Sequence, residues 1–148
     1  MARFSAAWRT NGAGSTTLPI GSVYATAAVR PRVVEVGVFN TTTTAVSLSL
    51  VRVTTTGTQG STITAAYEDD NSQSPVTTAK DTHTVAPTLG AVLRKFPLGA
   101  AIGSGVILTF GGGKTSGLTI PNTTGDGIAI IPATGTGQIC DIWFTWDE

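Results

Sequence analysis

Arg32-Val-Val-Glu-Val-Gly-Val-Phe39 and Ala45-Val-Ser-Leu-Ser-Leu-Val-Arg-Val53 decide how this chain is read. In the first stretch, Val34, Val36 and Val38 are expected on one face of an extended strand. In the second, Val46, Leu48 and Leu50 alternate with Ser47 and Ser49. That period of two marks a half-buried strand. Asn40 and the threonines at 41–44 lie between them and read as a turn. Asn and Thr suit this place because their side chains bond nearby backbone groups and so compete with the sheet ladder.

The same pattern recurs outward from this pair. Residues 4–8 form a weak first strand, and residues 19–25 follow a Gly/Ser/Thr loop. Later candidates are 93–98, 105–110, 117–121, 127–132 and 138–146. In the last of these Cys140, Ile142, Phe144 and Trp146 share a face, while Ile139, Asp141, Trp143 and Thr145 share the other. The mixed second face implies partial cover by a loop or a neighbouring subunit. Residues 54–88 loosen into expected long loops, with a turn at Gln59-Gly60-Ser61 and a short segment at 62–67 that admits a helical turn near Ala65. Gly, Thr and Pro interrupt nearly every window, and all three are poor in helix interiors. The fold class expected is all-β: one β-sandwich or jelly-roll domain of about eight short antiparallel strands. Residues 19–148 form that domain, and residues 1–18 are expected as an extended N-terminal arm.

Composition narrows the function. The 148 residues fit one domain. Thr is the commonest residue, and only 12% of the chain is charged. Thr favours strands and presents a hydroxyl to water without charge, so the expected surface is neutral and hydroxyl-rich. Nine basic and nine acidic residues cancel and lie scattered, so no basic face for nucleic acid is expected. A single cysteine rules out an intrachain disulfide. Cys140 is read as a small buried hydrophobe. No window is long and apolar enough for a membrane span, and the N-terminus lacks the apolar core of a secretory signal. The chain is therefore expected to be made, and to be soluble, in a cytoplasm. The sequon-like Asn40-Thr41-Thr42 and Asn122-Thr123-Thr124 are discounted on the same ground.

Few residues suit catalysis. Gly111-Gly112-Gly113-Lys114-Thr115 ends like a phosphate loop, but Leu108 stands where the motif needs its first Gly. A turn and a strand follow instead of a helix, so a hairpin turn is the preferred reading. Glu68, Asp69, Asp70 and Asn71 lack the alternating ligand pattern of a calcium loop and read as solvated. His83, the only imidazole, could join Asp81 or a distant Ser in a triad, but no nucleophile elbow is present. It is read as a hydrogen-bonded structural or interface residue. Trp8, Trp143 and Trp146, with Tyr24 and Tyr67, offer either a sugar-stacking platform or core and interface packing, and packing is preferred. Phe4, Trp8 and Trp143 are the candidate interface residues. No catalytic, metal or cofactor residue is assigned.

Three stretches then carry a resemblance: Glu35-Val-Gly-Val-Phe-Asn-Thr-Thr-Thr-Thr-Ala45, Asp81-Thr-His-Thr-Val-Ala-Pro-Thr-Leu-Gly90, and Pro132-Ala-Thr-Gly-Thr-Gly-Gln-Ile-Cys-Asp141 with its Trp-rich tail. With them the chain, from about Arg3 to Glu148, resembles head decoration (cement) proteins of tailed bacteriophages, particularly those infecting actinobacteria. The resemblance implies a jelly-roll or related β fold, no catalysis, and a homotrimer on the outer capsid surface. It also implies assembly in the host cytoplasm and the major capsid protein as partner. The alternative is a receptor- or glycan-binding module of a tail or fibre. Low charge adds the expectation that attachment to particles resists salt, because little of it could be screened.

Overall fold

The computed structural model of the chain describes residues 1–69, 73–111 and 116–148. Among these residues there are twelve strands, all paired antiparallel, and no helix. The first sheet runs β10 (Leu118–Thr119), β3 (Arg32–Asn40), β12 (Cys140–Asp147), β1 (Arg3–Arg9), β6 (Ala66–Tyr67), and β9 (Gly105–Thr109) also pairs with β3. The second runs β5 (Thr62–Ile63), β7 (Thr78–Asp81), β2 (Gly21–Tyr24), β11 (Gly127–Pro132), β4 (Val46–Val53), β8 (Leu89–Leu98). Together they make a β-sandwich.

The pairing is nested. β1 pairs with β12, β2 with β11, β3 with β9 and β10, and β4 with β8. The chain is thus a long antiparallel hairpin, rolled so that β12 also meets β3 and β11 also meets β4. The segment between β4 and β8 returns to the other end of both sheets, where β6 lies on β1 and β7 lies on β2.

Alternation places the core as expected for β12: Cys140, Ile142, Phe144 and Trp146 are all buried between the sheets. Val46, Leu48 and Leu50 of β4 face them from the second sheet. Asn40 makes the turn between β3 and β4. Its Nδ2 donates to Thr44 O (2.7 Å) and Gly99 O (3.0 Å), and its Oδ1 accepts from Thr42 N (3.0 Å).

Four expectations change. Val34 leaves the core row because the β3–β12 register slips there: Thr145 pairs with Glu35 and Trp146 with Val33. One extra residue in a bulge moves the side chains before it to the opposite face. Val33, with Val36 and Val38, therefore fills the core. Residues 1–18 are not an arm. Residues 3–9 are β1, held between β12 and β6, and Thr10 N donates to Cys140 O (2.9 Å). The small residues that make this strand look weak, Ala2 and Ala6, are buried inward beside Phe4. Residues 54–88 contain three short strands, and Ala66 begins β6 where a helical turn was admitted. The outer face of the second sheet is not solvated but forms a second cluster, Tyr24, Val51, Val53, Ala129 and Ile131. The returning segment reaches this cluster, with a Thr58–Val85 bridge and His83 against Tyr24. Residues 112–115 of the phosphate-loop-like string, and Asp70 and Asn71 of the acidic string, lie outside the described residues.

Candidate functional site

The three candidate interface residues go to three different places. Phe4 is fully buried, its ring 6.1 Å from that of Trp146 and 5.3 Å from that of Tyr67. It is a core residue, and the interface expectation for it is corrected: inward parity in β1 gives its ring to the sandwich. Trp8 closes one end of the core, half-buried, over Gly21 and stacked at 6.1 Å on Phe144. Its Nε1 donates to Asp81 Oδ1 at 3.1 Å. Trp143 alone stands on an outer face.

That face belongs to the first sheet, and register arranges it in rows. Ala7, Trp143, Gly37 and Ile107 form one row. Arg9, Asp141, Phe39 and Gly105 form the next, and Ser5, Thr145, Glu35 and Thr109 lie on the other side. The Trp143 ring covers Gly37 so closely that a Cβ there would fall within it, and the Phe39 ring covers Gly105 in the same way. Glycine inside a strand marks such a close approach. The two rings lie 5.6 Å apart at 13° to one another. Glu35 Oε1 accepts the Trp143 indole N–H at 2.7 Å, which fixes the ring's rotation.

Ion pairs frame the aromatic row. Arg9 grips Asp141 with two hydrogen bonds (2.8 and 2.9 Å), and Arg3 grips Asp147 likewise (2.7 and 3.0 Å). The Arg9 hydrogen bond holds the Asp141 carboxyl below its ordinary value. Beside them lies a depression of about 300 Å³ lined by Arg3, Val34, Glu35, Thr109 and Gly111. Sequence reading singled out Trp143 but not Phe39 or Glu35. The available signal was Gly37, a lone glycine inside a run of valines.

Of the remaining aromatics, Trp146 and Tyr24 are buried, and Tyr67 is 45% exposed at the rim of a cleft with Thr62, Thr64 and Thr77. His83 does meet a serine. Its Nε2 lies 2.8 Å from Ser22 Oγ, but both residues are buried. Asp81 is turned away toward Trp8 Nε1 and the amides of Asn11 and Thr82. Burial lowers the His83 pKa to about 4, against a weaker upward pull from the Val85 backbone. The pair pins the returning segment onto β2. Cys140 is also buried, and its thiol pKa is pushed up to about 11 by burial and then by Asp141. Among the described residues no cluster of His, Cys, Asp or Glu is suited to a metal.

Among the described residues one long side of the sandwich is open: β8 pairs only with β4 and β9 only with β3. Leu89, Val92, Ile102 and Ile107 are exposed along it. Arg94 and Lys95 of β8 form no salt bridge with a described residue, although Arg94 lies over the Phe110 ring at 5.6 Å. Comparison of the chain with protein-family models, with curated proteins and with solved structures finds no match.

Proposed function

We propose that this chain is a non-enzymatic structural protein of a virion, decorating the outer surface of a tailed bacteriophage head. In this role it clamps neighbouring major capsid subunits, as a homotrimer. The observation that carries the reading is the open side of the sandwich. A ten-residue edge strand, β8, pairs with β4 on one side, meets no described strand on the other, and holds apolar side chains in water. Arg94, Lys95 and Pro97 blunt one half of this edge, whereas residues 89–93 carry no charge or proline, and there an added strand is the natural cover. The nested hairpin supports the jelly-roll reading within the sandwich. The burial of the Ser22–His83 pair supports a structural role for it. A shell repeats each contact many times, so modest contacts suffice.

The test is cryo-electron microscopy of capsids lacking this protein, incubated with it at saturation. Ordered β-rich density at three-fold or quasi-three-fold positions of the outer shell supports the proposal, and bare capsids refute it. The alternative reading is a receptor- or glycan-binding module of a tail or fibre. It is favoured by the aromatic rings on the outer face of the first sheet.

A further inference from the structure

We infer that the outer face of the first sheet binds short chains of neutral hexopyranose. One sugar ring stacks on Trp143 and Phe39, and the next lies in the depression between Arg3, Glu35 and Thr109.

The chemistry begins with the rings. An aromatic face carries negative potential. The axial C–H bonds of a pyranose carry a slight positive charge and present a flat apolar face of matching size. Gly37 and Gly105 let the Trp143 and Phe39 rings settle onto the sheet, near-parallel at 13°. The indole is already held by Glu35, so binding has little side-chain freedom to freeze.

The surroundings choose the ligand. A sugar is polar at its edge, and the polar groups stand at the edge of the platform. The Arg9–Asp141 pair flanks one side, and Glu35, Thr109 and Arg3 line the 300 Å³ depression on the other. A protein laid flat here would strip water from these charges without replacing every hydrogen bond, which is costly. Sugar hydroxyls both donate and accept, so they can replace that water. The rows of this face hold Arg3, Arg9 and Arg32 and, against them, Glu35, Asp141 and Asp147, with Glu68 bonded to Thr145 and Asp69 to the Arg3 amide. That excess of carboxylates disfavours uronates and sialic acids, which points to neutral sugars. The inference does not depend on which part of a particle carries the chain.

The test titrates the isolated full chain with cellohexaose, maltohexaose, laminarihexaose and mannohexaose, and with hexagalacturonate as the anionic control. The readout is the indole N–H signals of the three tryptophans. At least one neutral hexaose should shift the Trp143 signal saturably by about 10 mM, a weak but measurable affinity. Fully buried Trp146 should stay put. Trp143→Phe should bind within a few-fold of wild type, whereas Trp143→Ala should weaken binding about tenfold by losing the stacked ring. The inference is overturned if no neutral hexaose moves Trp143. Binding that Trp143→Ala leaves unchanged, or tighter binding of hexagalacturonate, overturns it equally. Capsid binding with no saccharide binding would remove this inference and leave the decoration reading standing.

Discussion

Acidification from pH 7 to pH 5 should destabilise this protein through one side chain, His83. The imidazole is buried with its Nε2 2.8 Å from Ser22 Oγ, and burial brings its pKa down to about 4 from the ordinary 6.5. The unfolded chain therefore takes up a proton on His83 near pH 6.5, while the folded chain resists until about pH 4. In that window the unfolded state binds more protons, so stability falls as pH falls. The full difference is worth about 3 kcal/mol, and about 2 kcal/mol of it is lost by pH 5. For a chain of this size that corresponds to a fall in Tm of about 4–8 °C. Carboxylates such as Asp141, held low by Arg9, act in a more acidic window and contribute little above pH 5. The assay is thermal unfolding at pH 7, 6 and 5 for wild type and His83→Gln. Glutamine can still reach Ser22 but does not titrate. Wild type should lose stability across the series while the variant stays nearly flat, whatever its absolute Tm. Parallel slopes would refute the assignment, as would an NMR titration of His83 with a midpoint near 6.5.

Three further outcomes follow from packing. Gly37→Val should destabilise by about 1–3 kcal/mol, because the new side chain meets the Trp143 ring, and Trp143 fluorescence should change with it. Phe4→Ala should cost about 3–5 kcal/mol in urea unfolding with no change in oligomeric state, as expected of a core ring and not of a contact residue. Cys140 should be inert to a thiol reagent at pH 8 in the folded protein and react fully once unfolded, since burial keeps the thiol protonated and covered.

Local periodicity made much of the fold legible. The alternation in β12 and β4 gives the correct inward residues. The Asn40 turn can be read from its side-chain chemistry. What could not be read depends on pairing between distant segments. The bulge at Val34 exists only in the register of β3 against β12, so alternation alone chose the wrong valine. The first residues look like an arm because Ala and Ser carry little strand propensity. Their burial is decided by Trp146 and Tyr67 from opposite neighbouring strands. The segment before β8 reads as loop because its strands are only two to four residues long and are stabilised by their partners. The outer-face platform was half visible for the same reason. Trp143 could be named from its strand, but Phe39 and Glu35 join it only across strands.

The same returning segment gives the sandwich a direction. It lays β6 and β7 along β1 and β2, so that end of each sheet closes with short, blunted strands. Among the described residues the opposite end keeps β8 and β9 open, with Leu89, Val92 and Ile107 in water. Short edge strands discourage pairing, whereas a long edge invites it, so added strands have one side to join. The Trp143–Phe39 row lies on a broad face of the first sheet and not on β8, the long open edge of the second. A partner strand paired with β8 would therefore leave that row in solvent, and one copy could hold a shell through its edge while its face remained free for a saccharide. Substitutions at Val92 and at Trp143 should consequently separate the two: Val92→Lys impairing attachment alone, and Trp143→Ala impairing saccharide binding alone.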